Sequence, residues 1–82
     1  MSDVERMTDE QMVNVLRGLC MAYMMNDRAK IFSLEPLARE IGEELNHRGG
    51  TQEMLRVFNK LGPIPGRRTL EMHWNNIGDW RG

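Results

Sequence analysis

Seven apolar residues follow one another without interruption from Leu19 to Met25, in the stretch GLCMAYMMND. At 3.6 residues per turn such a run covers every side of a helix, and a helix that is apolar all round must be enclosed on all sides. The chain has only 82 residues, 40% of them hydrophobic. A chain of that length hides only roughly 60–65% of the surface its unfolded form exposes. Three other short helices are scant cover for such a run. It is either the central helix of a monomer or a face that a second molecule completes. The three methionines, whose side chains adapt to a partner's shape, favour the second reading. The expected contact residues are Leu19, Met21, Tyr23, Met24 and Met25. Trp80 joins them as a further anchor, because an indole so near the chain end must dock on the bundle or on a partner.

Helix signals punctuate the rest of the chain, which reads as one all-α domain, residues 1–82, of four short helices. Thr8 and Gln11 stand at capping-box spacing, and Asp9 and Glu10 place negative charge at the positive end of the dipole. Met12, Val15 or Leu16, Leu19 and Tyr23 then recur at three-to-four spacing, which predicts a helix over 9–25. Ser33 as cap and Pro36 in the first turn predict a second over 34–48, with stripe Leu34, Leu37, Ala38, Ile41 and Leu45 and with Gly49 as terminator. The preceding DRAKIF is a connector or a helical turn. Thr51 is the expected cap of a third helix, 52–61, which Gly62 and Pro63 close. A fourth runs over 67–77 on Leu70, Trp74 and Ile77, ended by Gly78. No stretch alternates long enough to be a strand. Short links imply antiparallel neighbours.

Charge narrows the function classes. The net charge is −1, so no global field draws the molecule to nucleic acid or anionic lipid. The distribution is uneven: residues 1–46 carry nine acids and five bases, and residues 47–82 carry three acids and six bases. That split lets the halves attract one another or is plain surface decoration. Arg56, Lys60, Arg67 and Arg68 are the residues that would form a basic recognition patch. The opening MSDVERMTDEQM lacks the cationic start and apolar run of a signal peptide. No segment reaches the roughly 18–20 apolar residues of a membrane helix. The single cysteine, Cys20, admits no intrachain disulfide. A reduced, cytoplasmic, bacterial-type setting fits these observations.

Chemistry has few carriers. His47 and His73 are the two histidines, and no spacing pairs them as metal ligands. Glu44 and His47 form one half of a Glu-x-x-His motif, which only a symmetric dimer would complete. Glu40, Glu43 and Glu44 read as a solvated acidic face. Cys20 lies among apolar residues, which quietens a thiol. Gly49-Gly50 lacks the lysine and the strand of a phosphate loop. No catalytic residue, metal or cofactor is expected.

Two resemblances follow from particular residues. Ile41-Gly42, Gly49, Met54, Phe58 and Pro65 resemble the landmarks of a single tetratricopeptide-like helical hairpin over residues 38–65. Ala38 stands where that repeat has a tryptophan, and Met54 where it has a small residue. The resemblance implies close helix contact at Gly42 and closure of the turn at Gly49. IGEELN, the glycine pair and the ending LEMHWNNIGDWRG resemble short uncharacterised bacterial helical proteins, which implies a helical fold and no assigned activity. LEPLAREIG is also similar to the first helix of a helix-turn-helix. TQEMLRVFNK would then be the recognition helix of a small DNA-binding regulator, with Gln52, Arg56, Asn59 and Lys60 outward. The leading expectation is a non-enzymatic interaction module that binds itself as a homodimer, or another protein, through the Met-rich first helix. DNA binding through residues 34–61 is the alternative.

Overall fold

The computed structural model describes residues 3–80. They form an all-α globule: a 3-10 turn (Asp3–Arg6), then α1 (Asp9–Met25), α2 (Arg28–Asn59) and α3 (Arg67–His73), with no strand among the described residues. The Cα radius of gyration is 11.6 Å, close to the ~12 Å of a compact chain this long.

The first helix has the predicted bounds, and its start follows from local chemistry. The Thr8 hydroxyl accepts from the Gln11 backbone N–H at 3.2 Å, and the Gln11 side-chain oxygen accepts from the Thr8 N–H at 2.9 Å. Two otherwise unpaired donors are thereby satisfied. At the other end Asn26 adopts φ 54° and ψ 39°, a left-handed conformation that asparagine tolerates better than most residues.

The second helix corrects two boundaries. It starts at Arg28, six residues before the predicted Leu34, because Asp27 and not Ser33 is the cap: its carboxylate accepts from the Lys30 N–H at 3.2 Å. DRAKIF is therefore helical. Pro36 falls in the helix interior rather than the first turn, where it offers no N–H to the carbonyl of Phe32. α2 contains the predicted helices 34–48 and 52–61 as two arms, parted by the non-helical Gly49 and Gly50, and its 32 residues end at Asn59. It is not straight, since 32 residues would reach about 48 Å, while the longest dimension of the molecule is 32 Å. The bend lies at Gly49 and at Gly50, which has φ 72° and ψ −160°, a region open essentially to glycine alone. The glycine pair thus breaks direction without a fresh cap. Thr51, expected to cap, instead has a buried hydroxyl with no hydrogen-bond partner.

The third helix is shorter than the predicted 67–77. It ends at His73, and the chain continues as turns in which Ile77 N–H reaches the Trp74 carbonyl at 3.0 Å and Trp80 N–H the Ile77 carbonyl at 3.0 Å. Asn76 takes φ 74°, which no α-helix contains. These turns aim Trp74, Ile77 and Trp80 into the core, where all three are buried. Trp74 lies on Gly42, where a Cβ would come within 2.7 Å of the indole nitrogen. That nitrogen donates to the Ala38 carbonyl at 2.9 Å. Trp80 packs edge-on to both Phe58 and Trp74, and Phe58 is tilted on Trp74, with centroids 5.1–6.1 Å apart, arrangements aromatic quadrupoles favour. Met12, Leu16, Leu19, Ile41, Leu45, Met54, Val57 and Leu70 complete the interior.

Candidate interaction surface

The run Leu19–Met25 is divided by the helix into two faces. Leu19, Cys20 and Ala22 are buried and Tyr23 is half-buried, whereas Met21, Met24 and Met25 are 55%, 61% and 73% exposed. The three methionines fall within an arc of about 100° on the side of α1 opposite the Met12–Leu16–Leu19 stripe. The rest of the chain therefore does not enclose this helix. Across the two-residue link Asn26-Asp27, Phe32 is 82% exposed at the start of α2. The end of α1 and the start of α2 thus present four large apolar side chains to solvent. Grouped exposed apolar side chains of this kind are a common feature of surfaces that bind partners.

Two expected contact residues are placed elsewhere. Leu19 belongs to the core. Trp80 folds back on the bundle, edge-on to Phe58 and Trp74, with its indole N–H donating to the Glu71 carbonyl at 3.1 Å. Neither is available to a partner.

Tyr23 is engaged from the side. Its hydroxyl lies 2.5 Å from His73 Nε2, and that nitrogen lies 3.1 Å from the Glu35 carboxylate. Burial first, then the Glu35 charge and the bond its carboxylate accepts, push the Tyr23 phenol above its usual range. The hydroxyl therefore stays a donor. Arg39 donates to the His73 carbonyl at 2.8 Å, and Phe32, Glu35, Pro36, Arg39 and His73 line a shallow pocket of ≈ 310 Å³. The cluster pins α3 across α1 and α2. Sequence reasoning missed it: Tyr23 and His73 are 50 residues apart, and no local pattern relates them. Phe32 was missed because it lay in the undecided DRAKIF segment.

Of the four basic residues, Arg56 and Arg67 are engaged within the chain. Arg56 is clamped by both oxygens of Asp9, at 2.6 and 3.1 Å, and by Glu53. This holds both carboxylates below their ordinary range, chiefly through the hydrogen bonds to Arg56. Arg67 lies 4.5 Å over the Phe58 ring and donates to the Gly62 carbonyl at 2.9 Å. Lys60 and Arg68 remain exposed. In the segment offered as a recognition helix, Met54, Val57 and Phe58 are buried and only Gln52, Asn59 and Lys60 present uncommitted polar side chains.

Glu44 is paired with Arg48 at 2.6 Å, and Arg48 also donates to the Glu5 carbonyl at 3.0 Å. His47 points to solvent. Among the described residues no three His, Cys, Asp or Glu side chains converge as a metal site. Cys20 is buried, and burial pushes its thiol up. No described helix is long and apolar enough to cross a membrane. The close approach expected at Gly42 exists, but against Trp74 of the tail rather than a second helix of a repeat. No family model, curated protein or solved structure matches the chain.

Proposed function

We propose that this chain is a non-enzymatic interaction module that docks through the outer face of α1, and that its partner there is another copy of itself. The observation that carries the reading is the exposure of Met21, Met24 and Met25 side by side on a helix whose opposite face is fully packed. Unbranched thioether side chains adapt to a facing helix with little strain. Nearby Phe32 extends the apolar area. The alternative, a DNA-binding regulator, would need several free cations on the 51–60 segment, where two carboxylates hold Arg56 and Lys60 is the exposed cation left.

Sedimentation over low to high micromolar concentration tests the reading. The mass is expected to rise from one chain toward two. Met24→Glu places a charge on the contact and should weaken association at least tenfold, about 1.4 kcal/mol, with helicity unchanged, since Met24 is 61% exposed and is not one of the core residues. A single chain at every concentration would remove self-association. Salt-sensitive retention on a nucleic-acid column would instead favour the regulator.

A further inference from the structure

The outer face of α1 fits itself in one orientation. Met21 lies opposite the buried stripe, with Arg17 and Met24 on one flank and Gly18 and Met25 on the other. Gly18 is a notch: it is partly exposed, and a Cβ there would meet only the Leu34 side chain, at 3.6 Å. From this pattern, and resting on the self-association proposed above, we infer that two chains pair α1 against α1 antiparallel, about a two-fold axis at Met21.

In that arrangement residues on the same flank, three and four positions from Met21, come within about 1.5 Å of level. Met25 of each chain covers Gly18 of the other, and Met24 lies along the aliphatic stem of the other chain's Arg17. The three methionines exposed on α1 are then used, and the gap at Gly18 is filled. Charge selects this orientation over the parallel one. Arg17 and Glu10 are exposed and form no ion pair among the described residues. A parallel pair would set Arg17 against Arg17 and Glu10 against Glu10, whereas the antiparallel pair separates them. It also opposes the two helix dipoles and turns the acidic start of each α1, where Glu10 is exposed, toward the basic start of the other chain's α2, Arg28 and Lys30. A contact built on one helix face is smaller than the ~1,600 Å² of a standard interface, so the equilibrium belongs in the micromolar range.

Cysteine cross-linking distinguishes the register. With helix axes about 8–10 Å apart and Cα atoms about 2.3 Å off each axis, the two residues at position 21 face one another at about 4–5 Å, within disulfide reach. Asn14, on the same exposed face, is roughly 21 Å from its counterpart. Under mild oxidation Met21→Cys should give a linked dimer and Asn14→Cys should not; Cys20, buried, does not interfere. Gly18→Leu, which fills the notch, should weaken association at least tenfold by sedimentation. Linking at Asn14 would show a parallel pair and overturn the inference. A dimer by sedimentation that links at neither position, or one untouched by Gly18→Leu, would overturn it too while leaving self-association standing. No dimer at all removes both.

Discussion

Gly42 shows what a single residue contributes here. The aromatic centre exists because Trp74 can lie directly on the helix backbone at that point. A methyl group on Gly42 would come within 2.8 Å of two indole atoms and within 3.0 Å of Ile77. Gly42→Ala is therefore expected to destabilise the fold by about 1–3 kcal/mol, the usual range for overpacking a filled core, despite alanine's better helix propensity. Urea unfolding followed by tryptophan fluorescence measures it. The sequence marked Gly42 as a point of close approach but assigned the wrong neighbour, because the neighbour is set by tertiary folding. The same holds for Tyr23, legible as part of the stripe of α1 while its hydroxyl partners Glu35 and His73 come from distant segments.

At the scale of elements, legibility followed locality. The bounds of α1 were readable because Thr8 and Gln11 satisfy each other within one turn. The start of α2 was not. Ser33 and Pro36 offer a plausible start by local rules, yet Asp27 six residues earlier offers another, and burial of Ile31 and Leu34 against the core adds to the longer helix. This gives a paired prediction. Asp27→Ala should cost about 1 kcal/mol through loss of the cap. Ser33→Ala, at an exposed interior position, should change stability by no more than ~0.5 kcal/mol. Thermal melts of the two variants separate the observed start from the expected one. The end of α3 was misjudged for a related reason. Leu70, Trp74 and Ile77 have helical spacing, but turns around Asn76 bury the last two equally well.

On the scale of the molecule, Arg56 ties the start of α1 to the second arm of α2 through Asp9, with Glu53 beside it. Both acids bind their protons less readily folded than unfolded. The unfolded chain therefore takes up protons first, and stability falls as pH drops. The loss should begin near the ordinary values of 4.5 for Glu53 and 3.8 for Asp9 and continue below them. The groups are exposed and their contribution is screened, so the effect is modest. Arg56→Gln should flatten the acid limb of a stability–pH profile without moving its neutral plateau far. The all-α architecture and the unusual apolar run Leu19–Met25 were legible from composition and period alone. The division of the apolar run into a buried and an open face was not, since it depends on how α2 and α3 wrap α1.

The account turns on whether that open face is covered by a second chain. Methyl NMR of methionine-labelled protein across a dilution series tests this residue by residue. Met12 and Met54, fully buried, serve as fixed references. The methyl signals of Met21, Met24 and Met25 should shift together with concentration along a dimerisation curve. Signals from these three that stay in place while the protein is taken from low to high micromolar concentration would contradict the account.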